Sequence, residues 1–274
     1  MDLVDPDSNY FSSGNEGCLI ERERSDYFDV SAFNNYINLN ENFYIVNYNF
    51  RSFSKNIDDF LSTFAVQPQI IVATETWFDR NSFSNIAGYH GFHTIRLDRR
   101  GGGVSIYIKD DLSAVKIPEL CFVNSSIEVV ATEVKLNNLN YIIFAIYRPN
   151  SDTVENFLLN LLPLLRLEKY RNCPTVVTGD FNVDLLSPNQ SSENFKNEMS
   201  ALHYIPLIYR PTRFDPGGCH NPSVLDQIWF NKLDPISSGI ILHSTTDHLP
   251  TFIRIGKLVI GTNNKVRVQF RYFD

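Results

Sequence analysis

No apolar run in this 274-residue sequence approaches the ~20 residues that a membrane-spanning helix needs. The first residues are acidic and polar, unlike the basic-then-apolar pattern of a secretory signal. Cysteine is sparse: Cys18, Cys121, Cys173 and Cys219 lie far apart, without Cys-x-x-Cys spacing. That argues against a zinc site and against a disulfide framework, so reduced thiols in an intracellular setting, nuclear or cytoplasmic, are expected. The sequence has no internal repeat and, in its body, no Pro- or Ser-rich linker. It also lacks an excess of positive charge, with a formal net charge of −7. The imbalance sits in residues 1–42, which hold nine acids and two bases, whereas the remainder holds 22 of each. A neutral body does not carry the overall basic footprint of many nucleic-acid binders, although a local patch would serve.

What is present is enough apolar material for a large core, 43% of residues. Residues 1–42 read as an acidic, largely flexible lead-in with a short helix near 30–37. From Phe43 onward the pattern is regular. Strands are expected at 43–49, 70–73, 93–97, 104–108, 127–135, 141–147, 175–177, 225–230, 239–243 and 249–255. Helices are expected at 52–64, 154–170 and 193–202, the second kinked by Pro163. Strands outnumber helices, and both kinds of neighbour occur. The pattern implies one domain over 43–256, a mixed-sheet sandwich with helices outside, followed by an extension at 257–274.

The run Pro174-Thr175-Val176-Val177-Thr178-Gly179-Asp180-Phe181-Asn182 ends a β-suited segment in polar groups. Gly179 is expected to permit a tight turn. If the backbone stays extended, Asp180 and Asn182 share a face. A carboxylate that takes a proton beside a carboxamide that donates to an oxyanion makes a reaction site. An Asx-rich turn is the ordinary alternative. The arrangement recurs, however, at Asn49, Glu75, Tyr147, Asp226 and Asp247-His248. Each has an ordinary reading as a solvated acid, a rim tyrosine or a structural histidine. Their recurrence at strand ends is what a site built on rigid sheets looks like. Gly101-Gly102-Gly103 neither opens a helix nor carries Lys-Ser/Thr, so it reads as a turn into the next strand, not a phosphate loop.

In order, Asn49-Phe50-Arg51-Ser52, Thr74-Glu75-Thr76-Trp77, Arg99-Arg100-Gly101-Gly102-Gly103, Tyr147-Arg148-Pro149, Gly179-Asp180-Phe181-Asn182, Pro211-Thr212-Arg213, Leu225-Asp226-Gln227-Ile228 and Thr246-Asp247-His248 form a set. This set resembles the endonuclease/exonuclease/phosphatase superfamily. Within it, the chain is similar to the endonuclease domains of non-LTR (LINE-type) retrotransposons, themselves similar to apurinic/apyrimidinic endonucleases. The resemblance implies an α/β fold, the deoxyribonuclease-like four-layer αββα sandwich of two mixed sheets flanked by helices. It implies a Mg²⁺-dependent DNA endonuclease, with Mn²⁺ able to substitute. Such an enzyme nicks duplex DNA and leaves a 3′-hydroxyl for target-primed reverse transcription. A reverse transcriptase domain of the same element is the implied partner, and residues 257–274 resemble the connector toward it. No membrane partner is implied.

On that resemblance Glu75, Asn49 and Asp247 are the metal-site candidates, since Mg²⁺ prefers one or two carboxylates plus waters and substrate oxygens. Asp180 would activate water, Asn182 would hold a phosphoryl oxygen, and Tyr147 would reach the phosphate. His248 would contact the phosphate in its protonated form, oriented by Asp226. Thr212, Thr246, Arg99, Arg100, Arg148 and Arg213 are phosphate or DNA-contact candidates, with Arg96 and Arg210 as further basic positions; solvated surface charge is the alternative for each arginine. Arg51 stands where related repair enzymes often carry an Asp, which weakens any inference of abasic-site activity. Two other functions compete: a phosphatase or phosphodiesterase acting on inositol phosphate, lipid or RNA, and a catalytically inactive DNA-binding remnant.

Overall fold

The computed structural model describes residues 26–38, 43–80, 83–96, 101–136, 139–215, 217–218, 221–232, 236–243 and 245–256. In chain order the elements are β1 (Asp26–Phe28), α1 (Val30–Asn38), β2 (Phe43–Asn49), α2 (Phe53–Ser62), β3 (Ile70–Thr74), β4 (Tyr89–Thr94) and β5 (Val104–Lys109). Next come β6 (Ala114–Lys116), β7 (Phe122–Val123), β8 (Glu128–Leu136), β9 (Leu139–Tyr147), α3 (Val154–Leu165) and β10 (Thr175–Asp180). The last are α4 (Gln190–Ala201), β11 (Ile205–Pro206), β12 (Asp226–Phe230), β13 (Ile236–Ile241) and β14 (Thr251–Ile255).

The strands form two mixed sheets, ordered β1-β13-β14-β2-β3-β5-β4 and β11-β12-β10-β9-β8-β6, with β7 paired to β8. Three apolar layers follow from strand alternation. Ile45, Val72, Ile106, Ile143, Val176 and Ile228 meet between the sheets. Val46, Ile71 and Phe252 face outward and pack with Phe33 of α1 and Phe60 of α2. Ile142, Val177 and Trp229 face the other way, against Phe157 of α3 and Phe195 of α4. The result is the four-layer αββα sandwich.

Two crossovers place the site. β2 and β3 run parallel and are joined by α2; β9 and β10 run parallel and are joined by α3. The buried residues of α2, Phe53, Asn56 and Phe60, recur at helical spacing. Thr153 caps α3 by accepting from the Asn156 amide at 3.1 Å, and Asn189 caps α4 through the Ser192 amide at 2.8 Å.

Several expectations need correction. The short helix expected near 30–37 is α1, but residues 26–38 pack onto the body and do not form a flexible lead-in: β1 pairs with β13, and Phe33 and Ile37 of α1 are buried in the outer layer. Their spacing of four residues puts both on one helix face. The remaining lead-in (1–25 and 39–42) and the extension at 257–274 lie outside the described residues. The strand expected at 93–97 is β4, which runs from Tyr89 to Thr94 because its partner β5 begins at the glycine turn. Helix α3 stops at Leu165, two residues past Pro163, and a short 3₁₀ turn spans Glu168–Tyr170. β6, β7 and β11 are too short to show a period in sequence. Gly179 does not make a turn. It lies inside β10 at φ +146, where a Cβ would sit 1.8 Å from the Ile146 carbonyl oxygen. No helix among the described residues is long and apolar enough to cross a membrane.

Candidate active site

Because side chains alternate along a strand, parity decides which polar residues enter the space between the sheets. Val176 of β10 and Ile228 of β12 face inward, and so do Asp180 and Asp226, each an even number of residues away. The register then aligns them. Asp180 is opposite Tyr147 on one side and Asp226 on the other, and Tyr147 is opposite Glu128. Glu128, Tyr147, Asp180 and Asp226 therefore make one row across four adjacent strands. On the facing sheet Asn49 ends β2 with the parity of Ile45, and Glu75 follows β3.

The two sheets are tied together at this edge by Asn49. Its Nδ2 donates to Glu75 Oε1 at 2.9 Å and to Asp180 Oδ2 at 2.8 Å, while its Oδ1 accepts from the Arg51 amide at 3.1 Å. Asn49 thus orients two carboxylates, and the nitrogen end of its carboxamide cannot ligate a cation. Asn47, two residues earlier, donates instead to Thr251 Oγ1 at 3.3 Å. Glu75 has φ +49, and its carboxylate also accepts from Trp77 Nε1 at 3.3 Å.

Asp180 is 1% exposed. Burial, then the neighbouring Asp226, pushes its pKa up to about 7. The Asp226 carboxylate meets His248 Nδ1 at 2.7 Å, with both side chains buried. Burial alone would lower the His248 pKa, but Asp226, Asp180 and Asp247 together outweigh it and raise it to about 9. His248 is therefore protonated at neutral pH. The Tyr147 hydroxyl is pushed far up, first by burial and then by Glu75, Asp180 and Glu128.

The remaining candidates are held by bonds of their own, several of them to backbone groups. Asn182 has φ +46, so the backbone turns after Asp180 and does not stay extended. Its Nδ2 donates to the Arg148 carbonyl at 2.8 Å and, at longer range, to Asp180 Oδ2 at 3.5 Å, and its amide donates to Asp180 Oδ1 at 3.0 Å. Thr212 is fully buried, and its Oγ1 accepts from the Leu225 and Asp226 amides at 3.1 and 3.0 Å, so it sets the Asp226 backbone and does not face a phosphate. Arg148 is buried and donates to the carbonyls of Asn182 and Asp152, which removes it as a DNA contact. Thr246 Oγ1 accepts from the His248 amide at 3.1 Å. Arg213 Nε and Arg51 Nη1 both hold Asp247, at 2.8 and 3.0 Å. Burial alone would raise the Asp247 carboxyl, but Arg213, His248 and Arg51 hold it below the usual carboxylate range. Arg96, half-buried, pairs with the buried Glu128, and Arg210 pairs with Asp26 at 3.2 Å. Arg99 and Arg100 lie outside the described residues.

Among the described residues, the ligand atoms of Asp180, Asp226 and His248 gather within 4.8 Å of one another. A protonated imidazole on Asp226 does not coordinate a cation, which leaves the carboxylates of the trio as its possible ligands. The donor set nonetheless suits a hard divalent cation. Glu75 is part-exposed beside the trio, and Asp226 Oδ1 is buried without a hydrogen-bond partner. Of the expected metal set, Glu75 and Asn49 are together, and Asp247 lies on the far side of His248, paired with arginines. Sequence reasoning missed Glu128. The signal was there, an acid at the head of an otherwise apolar strand, but it needed the β8–β9 register to join the row.

No curated protein matches the sequence. Solved structures do match the fold. The endonuclease domain of TRAS1, a telomere-specific non-LTR retrotransposon, aligns with TM-score 0.60 and 14% identity over 78% of this chain and 98% of that one. The 3′ phosphatase NExo from Neisseria, bound to product DNA hairpin, gives 0.60 and 16% over 78% and 99%. An AP endonuclease from Archaeoglobus fulgidus gives 0.57 and 14% over 79% and 100%. The model of the endonuclease/exonuclease/phosphatase family matches residues 37–248, well over half of the sequence, and the chain belongs to that family.

Proposed function

We propose that this domain is a Mg²⁺-dependent endonuclease that hydrolyses one phosphodiester of duplex DNA and leaves a 3′-hydroxyl for target-primed reverse transcription. The observation that carries the reading is the hydrogen-bonded chain Glu75–Asn49–Asp180 beside the Asp226–His248 pair, with the acid and the base held apart in pKa. Asp180, near pH 7 in affinity for a proton, takes one from the attacking water. His248, held protonated by Asp226, places positive charge against the phosphoryl oxygens. Tyr147 remains a neutral hydroxyl donor. Glu75, oriented by Asn49, and Asp226 Oδ1 would hold the cation, while Asp247, paired with Arg213 and Arg51, lies on the other side of His248. A bound Mg²⁺ supplies charge stabilisation for the phosphoryl group and leaving oxygen. Asn182 keeps the Asp180 loop in place through Arg148. DNA as substrate is supported by the likeness to the TRAS1 endonuclease domain; a reverse transcriptase domain as partner rests on the motif resemblance, and a nuclear or cytoplasmic setting on the sparse, scattered cysteines.

A second reading, phosphate release from a phosphomonoester, is favoured by the equal likeness to the Neisseria 3′ phosphatase. The decisive assay compares nicking of supercoiled plasmid in Mg²⁺ with release of inorganic phosphate from 3′-phosphorylated duplex ends. Nicking by the wild type that is lost in Asp180→Ala supports the endonuclease. Phosphate release without nicking supports the alternative, and DNA binding with neither activity supports the inactive remnant.

A further inference from the structure

The row of inward residues ends in a charge that none of the roles above uses. Glu128 is buried, and its side chain pairs with that of Arg96, at 0% and 9% exposure. A buried ion pair is weak evidence for stability, because well-packed apolar side chains often do as well. Its surroundings give it another purpose.

Glu128 Oε2 accepts from the Gly103 amide at 2.5 Å. That N–H and the Gly102 carbonyl belong to one planar peptide unit and point in opposite directions. The Gly102 carbonyl accepts from the Trp77 amide at 2.9 Å, and the Gly103 carbonyl accepts from the Thr76 amide at 3.2 Å. The same segment is gripped on its other side, where the Ser52 and Phe53 amides donate to the Glu75 and Thr76 carbonyls at 3.0 and 3.1 Å. Between these grips Glu75 and Trp77 adopt φ +49 and +58, a conformation that side chains other than glycine avoid unless the surroundings impose it. The fit is close. A Cβ on Gly102, at φ +67, would lie 2.5 Å from Glu128 Oε1.

We propose that Glu128 is a positioning residue for Glu75. It locks the Gly102-Gly103 peptide plane, which anchors the Trp77 amide and so holds the Glu75 carboxylate at the cation position. Arg96, paired with Glu128, keeps its carboxylate aimed at the Gly103 amide. The inference rests on Glu75 being a metal ligand, as read above.

The test is calorimetric titration of metal-free protein with Mn²⁺, which needs no turnover. The informative variant is the double substitution Arg96→Met with Glu128→Leu, which replaces the pair by apolar groups. A structural role alone predicts a folded protein with unchanged Mn²⁺ affinity. The positioning role predicts a cooperatively unfolding protein whose Mn²⁺ affinity falls about 10–100-fold, with kcat for nicking reduced and KM for DNA unchanged. Gly102→Ala, which leaves the pair in place but displaces the turn, is expected to weaken Mn²⁺ binding in the same direction and carries the test if the double variant does not fold. Wild-type affinity in either folded variant overturns the proposal. Wild-type Mn²⁺ affinity in Glu75→Gln would remove its premise, whereas a wild type that binds Mn²⁺ but nicks no DNA would overturn only the endonuclease reading.

Discussion

Asn49 and Asp180, 131 residues apart in sequence, meet at 2.8 Å across the two sheets. The carboxamide offers its second hydrogen to Glu75, so one side chain sets the relation between the two carboxylates for which we propose proton transfer and cation binding. Asn49→Ala should therefore lower nicking kcat by about 100-fold or more, the usual effect of removing one oriented donor from an active site. Asn49→Asp should be worse, because a third carboxylate joins Glu75 and Asp180. Steady-state plasmid nicking reads both, and near wild-type kcat in Asn49→Ala would sink the bridging role.

The pH dependence of stability follows from two raised pKa values. His248 sits at about 9 in the folded protein against 6.5 ordinarily, so its stabilising contribution is complete below pH 6.5 and lost as pH rises through 9. Asp180 sits at about 7 against 3.8, so its contribution is complete below pH 3.8 and lost as pH rises through 7. Both act in the same direction. The Tm of metal-free protein should decline from pH 5 to pH 9. Asp180→Asn should flatten the part below pH 7 and be more stable than wild type at pH 8, while abolishing nicking. Thermal unfolding across this range checks it; an unchanged slope in Asp180→Asn contradicts the assignment.

Arg148 separates structural from substrate-binding arginines. Its guanidinium donates to the Asn182 carbonyl in the turn after Asp180 and to the Asp152 carbonyl in its own loop before α3. Arg148→Met should cost about 1–3 kcal/mol of stability, the penalty for leaving buried acceptors without donors. It should leave the salt dependence of DNA binding unchanged. A DNA contact would instead reduce the salt slope by about 1, so binding isotherms at several salt concentrations decide between the two.

Gly179→Ala should be among the most damaging single changes in the domain. The added methyl would overlap the Ile146 carbonyl oxygen in the adjacent strand, at a φ that alanine also resists. A loss above about 4 kcal/mol, or failure to fold, is expected. Denaturant unfolding with a wild-type midpoint would show that β9 and β10 can separate freely at this point.

Much was legible in the one-dimensional pattern. Alternation gave β2, β5, β9 and β14 nearly to the residue, and the polar strand ends pointed to Asn49, Glu75, Asp180, Asp226 and His248 as a group. The failures have local causes. Gly179 looked like a turn residue because a sequence does not show which backbone passes alongside it. Asn182 was placed on the face of Asp180 by assuming extended backbone that ends one residue too early. Thr212, Arg148 and Arg213 looked like phosphate contacts, yet the first two are bound to backbone groups and the third to Asp247.

The ordered motifs carried the resemblance to the family, and strand and helix period carried the layering, because both are local properties of the sequence; they also named the candidate residues at the strand ends. Only the tertiary structure decided which charge faces which. The β8–β9–β10–β12 register places Glu128, Tyr147, Asp180 and Asp226 in one row, and packing of the two sheets brings Asn49 onto Asp180. Burial at that edge raises the proton affinity of Asp180, and the carboxylates gathered around His248 raise its own against the opposing effect of burial; both are properties of the assembled fold that no segment of the sequence carries alone.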